Sequence, residues 1–359
     1  MPPAELAEVL DWTDGAVWQE LAGARVLLTG ATGFWGVWLV ESLLAADRRW
    51  ALGLELVATT RSLARLRTAL PHLAIEPRIR WLELDPTSSS ALSVLRAAVA
   101  GPARRTLLAH FATEADNARA VADPAGATAV IVDGATNALA WAEAAGAERV
   151  LLGSSGSVYG PPVPGAADPA ETAVLAWTDQ PGGVDAYAIT GWAKWKAEQA
   201  GWAWGARCGA AVVAARGFAF AGPRLPVNGK FAWGNFLADA LAGRDIVIQG
   251  DGTPERSYLY GADLTVWLLT LLSLGRGGRA YNVGSDRAVS IAGLAEVMRR
   301  ELAPQVRVLV RGVADPTRPV SRYVPDLRRV KQELGLVERV DLAEAVRRHA
   351  AWLRGRARH

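Results

Sequence analysis

The stretch Arg25-Val26-Leu27-Leu28-Thr29-Gly30-Ala31-Thr32-Gly33-Phe34-Trp35-Gly36 decides the fold. Its apolar run reads as a buried strand, its three glycines as a sharp turn, and the residues from Trp35 to Ala46 as a helix. Glycine lets the backbone turn tightly and approach an anion. The first turn of the helix adds unpaired N–H groups and a partial positive charge. In this strand-turn-helix setting the spacing GxxGxxG reads as a cradle for the pyrophosphate of a dinucleotide. The competing reading is a tight turn with no ligand.

Outward from this turn, apolar strands alternate with helical segments. Strands are expected at Leu54–Thr60, Arg80–Leu84, Thr106–Phe111, Val150–Leu152, Ala211–Arg216 and Arg279–Val283, and helices at Ala91–Ala100, Thr128–Ala145 and Ala186–Gly205. Short continuous apolar strands separated by helices predict an α/β fold, a doubly wound parallel sheet of the Rossmann type covered on both faces. After Arg216 the rhythm changes. Turn-rich stretches at Ala221–Gly229 and Gly250–Pro254 surround a helix Phe231–Leu241; a helix Ala262–Leu274, a strand Val306–Val310 and a final helix Leu342–Arg354 follow. The expected organisation is a dinucleotide-binding domain over 23–217, to which the chain returns at about 258–285. A smaller C-terminal α/β substrate-binding lobe spans 218–257 and 286–350, and residues 1–22 form an N-terminal helical extension.

Composition excludes several classes. With 51% hydrophobic and 21% charged residues among 359, the chain can bury a large core and is not disordered. The net charge of +3 is spread along the sequence, apart from the Arg-rich tail from Arg347, which gives no case for nucleic acid. One cysteine, Cys208, and four scattered histidines leave neither a disulfide nor a metal cluster in view. No basic-then-apolar leader opens the sequence and no apolar run of membrane-spanning length follows, so no membrane association and a cytoplasmic location are expected. Fifteen tryptophans, among them Trp192, Trp195, Trp202 and Trp204, read as core and interface packing.

The second strand ends in Val57-Ala58-Thr59-Thr60-Arg61-Ser62, with no acid to hold a ribose 2′-hydroxyl. Arg61 suits a 2′-phosphate instead, so NADP is expected in preference to NAD. Asp85, just past the third strand, is a candidate to meet the adenine amino group or a plain turn carboxylate.

Seven motifs in order resemble the extended short-chain dehydrogenase/reductases of the NAD(P)-dependent epimerase/dehydratase family, which act on nucleotide sugars. They are TGATGFWG at 29–36, His110-Phe111-Ala112, Ser154-Ser155-Gly156-Ser157-Val158-Tyr159-Gly160, Lys194 with Ala197-Glu198-Gln199, Arg216 through Gly222-Pro223, Gly250-Asp251-Gly252-Thr253 with Arg256, and Tyr281-Asn282-Val283-Gly284. The resemblance spans about residues 23–340. It implies cofactor contacts at Gly30, Thr32, Gly33, Phe34, Trp35 and Gly36, and at Phe111 and Ala112. It also implies that Ser155 hydrogen-bonds the oxygen of the reacting sugar carbon and that Lys194 holds the nicotinamide ribose. Arg256 is implied to meet the substrate diphosphate; Asn235, in Gly234-Asn235-Phe236, either reaches the same phosphates or caps its helix. Members of the family commonly dimerise, so a homodimer through the helices Thr128–Ala145 and Ala186–Gly205 is implied as well.

Two departures from the family pattern bear on the reaction. The family carries Tyr-x-x-x-Lys, whereas here Thr190 stands four residues before Lys194. An aliphatic alcohol is far too weak an acid to replace a phenol. Either Thr190 only positions the substrate, or Tyr187 one turn earlier serves as the acid, or the site retains binding alone. The family's 4,6-dehydratases carry an acidic pair after the catalytic hydroxyl. Here those positions are Gly156 and Ser157, which disfavours dehydration. The stretch Phe218–Gly261 resembles nucleotide-sugar reductases of the abequose-synthase type. The expected function is therefore reduction of a 4-keto-6-deoxy nucleotide diphosphate sugar. Epimerisation through a transient ketone and a catalytically silent dinucleotide sensor are the alternatives.

Overall fold

The computed structural model describes residues 1–85, 87–88, 91–99, 103–114, 117–163, 165–173, 185–227, 231–317 and 319–356. Seven parallel strands form its main sheet: β1 (Ala24–Thr29), β2 (Glu55–Thr60), β3 (Ile79–Glu83), β4 (Arg105–His110), β5 (Arg149–Ser155), β6 (Ala211–Gly217) and, after an excursion, Arg279–Val283. The last pairs with β6, so that the order across the sheet is Arg279–Val283, β6, β5, β4, β1, β2, β3. The order reverses between β1 and β4, which opens a crevice at their carboxyl ends.

Alternation along each strand divides the core. Val26 and Leu28 of β1 pack with Val9, Trp18, Leu39 and Leu268 on one face. Leu27 packs on the other with Leu95, Trp141 and Trp204. The first face is covered by the helices Pro3–Trp12, Gly15–Leu21, Phe34–Trp50 and Gly261–Leu274, the second by Ala91–Ala97, Pro124–Ala144 and Ala186–Cys208. Every residue of β1 is buried, as a strand sandwiched between two helical layers requires. Trp38, Trp141, Trp233 and Trp267 are fully buried, so much of the tryptophan content is core.

Between β6 and Arg279–Val283, and again after it, the chain builds three small sheets. The short strands are β7 (Phe220–Ala221), β8 (Ile246–Ile248), β9 (Glu255–Arg256) and β10 (Leu259–Tyr260). With Arg279–Val283 as β11, there follow β12 (Val289–Ser290), β13 (Val308–Val310) and β14 (Arg322–Tyr323). Strand β9 lies between β12 and β14, and the register sets Arg256 beside Tyr323.

Several boundaries differ from the sequence reading. The N-terminal segment is two helices, broken where Asp14 turns its carboxylate back to cap the second through Ala16 N at 2.8 Å. Strand β5 runs on through Gly153-Ser154-Ser155 because these residues keep pairing with β6, up to Ser155 opposite Gly217. The strand expected at Val306–Val310 begins at Val308, and the final helix runs on to Arg356. The helix expected at Ala91–Ala100 is described as Ala91–Ala97; residue 100, residues 228–230 and the tail 357–359 lie outside the described residues.

Candidate active site

The glycine turn closes on its neighbours at van der Waals distance. Gly30 has φ +69°, a left-handed conformation, and a Cβ there would stand 2.5 Å from the Ala112 amide nitrogen. A Cβ on Gly36 would stand 2.3 Å from the Gly30 carbonyl oxygen. Gly33 caps the helix Phe34–Trp50 without a side chain, leaving its first-turn amides open to a ligand. The cradle is one that any larger side chain would fill, and its open amides match a pyrophosphate. Behind it, His110 Nδ1 and Thr29 Oγ1 lie 2.7 Å apart, and burial, with Lys194 nearby, pulls the imidazole down to about 3, so it stays neutral.

From this turn a cleft of about 880 Å³ runs along the carboxyl ends of the strands. Thr59, Thr60 and Arg61 line it after β2, Asp85 after β3, and Phe111 and Ala112 after β4. Asp85 accepts from Thr87 N at 2.9 Å and Thr87 Oγ1 at 2.8 Å, which hold its carboxylate low. It is thus a turn carboxylate that also faces the cleft.

The middle of the cleft is built by β5 and the helix Ala186–Cys208. Ser155 ends the strand, and its Oγ accepts from Ser157 N at 3.1 Å. The helix starts where Asp185 accepts from Ala188 N at 2.8 Å, then runs unbroken past Tyr187, Thr190 and Lys194. Thr190 therefore lies one turn before Lys194, and Tyr187 about two turns before it. All three side chains, with Ser155, line the cleft. Lys194 is buried and donates from Nζ to the Gly153 carbonyl at 2.6 Å; desolvation pulls its ammonium down to about 8, against the opposing pull of Glu198.

Several motif residues form a framework behind this floor. Arg216, 1% exposed, donates to both carboxylate oxygens of fully buried Glu198, at 2.9 and 2.6 Å. It also donates to Tyr159 Oη at 3.0 Å, and Tyr159 donates to Asn282 Oδ1 at 2.7 Å. The Ser154 hydroxyl donates to Glu198 at 2.5 Å. These bonds tie β5, β6, β11 and the helix together at the end of the sheet that carries the cleft.

At the far end Arg256 faces the cleft from β9, its Nη1 donating to the Glu255 carbonyl at 2.7 Å. Asn235 is not among the residues lining the cleft: Phe231, Ala232 and Trp233 line it at the start of that helix instead. Two tyrosines that the sequence did not single out, Tyr258 and Tyr323, also face the cleft. Tyr323 follows a proline-containing stretch in a two-residue strand, and only its pairing with β9 brings it there. Among the described residues no group of three or more His, Cys, Asp or Glu is arranged to hold a metal ion. No helix among them is long and apolar enough to cross a membrane.

The model of the NAD dependent epimerase/dehydratase family matches residues 26–284, most of the chain. The chain belongs to this family. Within the family it is 27% identical over 323 residues to UDP-glucuronic acid decarboxylase 6 of Arabidopsis thaliana, covering 90% of this chain and 86% of that one. Among solved structures it is similar in fold to UDP-glucose 4-epimerase of Thermotoga maritima, with a TM-score of 0.76 at 20% identity over 93% of this chain and 99% of that one. It is also similar to the dTDP-glucose 4,6-dehydratase DesIV of Streptomyces venezuelae, solved with NAD bound, with a TM-score of 0.74 at 24% identity over 92% and 97% of the two chains.

Proposed function

We propose that this member of the family is an oxidoreductase that reduces a keto sugar carried on a nucleotide diphosphate, with NADPH preferred over NADH. The observation that carries this reading is the continuous cleft from the glycine turn, past Ser155 and Lys194, to Arg256. In this reading Gly30, Gly33 and Gly36 receive the dinucleotide pyrophosphate, Arg61 its 2′-phosphate, and Lys194 the nicotinamide ribose. The Arg256 guanidinium clamps the sugar diphosphate through paired hydrogen bonds. Ser155 holds the oxygen of the reacting carbon. A bound reduced nicotinamide supplies the hydride and leaves oxidised. The chain's own residues orient the sugar, exclude water and deliver the proton.

Neutral Gly156 and Ser157 supply neither the base nor the acid that 4,6-dehydration needs. The UDP sugars in the names of the decarboxylase and the epimerase put uridine diphosphate sugars first among candidate substrates. Epimerisation through a transient ketone uses the same cleft. Arg61 favours net reduction, because an epimerase regenerates its own cofactor. A silent sensor would have no use for Arg256 in the cleft. We infer further that 23–217 with 258–285 bind the dinucleotide, that 218–257 and 286–350 bind the sugar nucleotide, and that the chain works as a cytoplasmic homodimer through the packed helices Pro124–Ala144 and Ala186–Cys208.

Thermal shift with UDP, dTDP and their sugars, with NADPH or NADH present, tests this reading. Stabilisation by NADPH together with a nucleotide diphosphate is expected, followed by loss of NADPH absorbance with the matching keto sugar. Conversion of the sugar with no net change in NADPH would favour the epimerase. Dinucleotide binding with no affinity for any nucleotide diphosphate would overturn the enzyme reading.

A further inference from the structure

The helix that carries Lys194 lacks the phenol at 190, yet the cleft does not lack phenols. Tyr187, Tyr258 and Tyr323 all line it. Tyr258 packs its ring on Trp233, with centroids 5.2 Å apart. Tyr187 stands in the first turn of the helix, with the edge of its ring against Tyr323 at 5.9 Å. The Tyr323 hydroxyl comes up against the backbone of Gly156, the residue after Ser155, and lines the cleft with Ser155. Its ring is held against Phe218, with centroids 4.7 Å apart, and its strand register sets it beside Arg256.

Gly156 explains how the phenol fits. A Cβ at that position would stand 2.6 Å from Tyr323 Oη and 2.9 Å from the Phe218 ring. An acid here, as in the dehydratase pattern, would drive the phenol out. The two departures from the family pattern are then one exchange: the side chain absent at 156 leaves the space that a phenol entering from β14 occupies, in place of the phenol absent at 190.

We propose that Tyr323 is the catalytic proton donor, acting with Ser155 on the oxygen of the reacting sugar carbon. This deepens the reductase reading and rests on it. With hydride delivered to the keto carbon as above, the carbonyl π bond breaks toward oxygen. The Tyr323 O–H bond breaks, and its proton forms the new hydroxyl. The phenolate then takes a proton from water. Burial and the neighbouring Tyr187 push the Tyr323 phenol up well above its ordinary value, with Arg256 pulling the other way, so the free protein holds it protonated.

The test compares Tyr323→Phe, Tyr187→Phe and Gly156→Ala with wild type, as full-length protein. For Tyr323→Phe the expected result is a melting temperature and NADPH affinity close to wild type, an unchanged KM, and kcat reduced by about 100-fold or more. Tyr187→Phe is expected to keep kcat within about fivefold, which a simple packing neighbour allows. Gly156→Ala is expected to reduce kcat as Tyr323→Phe does, with no further loss in the double variant. With ¹³Cζ-labelled tyrosine, Gly156→Ala should also move the Tyr323 resonance before any ligand is added. Wild-type kcat in Tyr323→Phe, or full activity and an unmoved resonance in Gly156→Ala, would overturn the proposal while leaving the reductase reading intact. A wild-type protein that turns over no nucleotide sugar overturns both.

Discussion

Lys194 shows how one residue's surroundings become a measurable property. Its ammonium is buried and held near a pKa of about 8, so it loses its proton as pH rises through that value. In the proposed reading its charge meets the nicotinamide ribose, so NADPH affinity by fluorescence titration is expected to hold below pH 8 and to decline above it. In Lys194→Ala the affinity should be weaker and the pH dependence absent; an equal decline in the variant would remove Lys194 from the site. Folding responds in the opposite sense. The folded chain holds this proton less tightly than the unfolded one, so the stability that Lys194 contributes is full above the ordinary lysine value and is lost as pH falls through about 8. Glu198 is a different case, because its carboxylate meets Arg216 inside the protein. Glu198→Gln is expected to cost about 3–5 kcal/mol, since it leaves a buried guanidinium without the carboxylate that balances its charge. Denaturant unfolding reads this directly, and a loss below about 1 kcal/mol would contradict it. The sequence made Lys194 visible through its neighbours Ala197-Glu198-Gln199. It did not show that Glu198, Arg216, Tyr159 and Asn282 form one bonded framework, because they lie on four separate elements.

At the scale of elements, the strand-turn-helix unit at 24–50 was legible because its apolar run, its glycines and its helical pattern are all local. Its glycines are constrained unequally. Gly36→Ala sets a methyl 2.3 Å from the Gly30 carbonyl, a backbone atom that can yield only if the turn opens. NADPH affinity is expected to fall by about tenfold or more, equivalent to at least about 1.4 kcal/mol. Gly33→Ala meets only the Gly30 oxygen at 3.4 Å and should be milder. Equal affinity in the two variants would argue against close packing as the reason for the spacing. Asn235 fared worse, since a motif on a helix does not say which face turns to a ligand. Here Ala232 and Trp233 of the helix Ala232–Leu241 line the cleft, while Asn235, two residues further in the same turn, does not.

For the whole molecule, the helices at 3–21 are part of the core. Val9, Leu10, Val17, Trp18 and Leu21 are buried against the helices Phe34–Trp50 and Gly261–Leu274, and Arg348 near the far end pairs with Glu8. Each such side chain contributes about 1.5–3 kcal/mol by leaving water, so removal of residues 1–22 is expected to yield insoluble or unfolded protein. A soluble variant melting within about 3 °C of wild type would contradict that. By itself the sequence determined the α/β class, the glycine turn between strand and helix and all seven strands of the main sheet, because periodicity, turn chemistry and short motifs are written in consecutive residues. Only the tertiary structure decided that Tyr323 reaches the cleft beside Ser155 and that Gly156 makes room for it. That contact joins residues more than 160 positions apart through a two-residue strand, and nothing local in the chain specifies such a pairing.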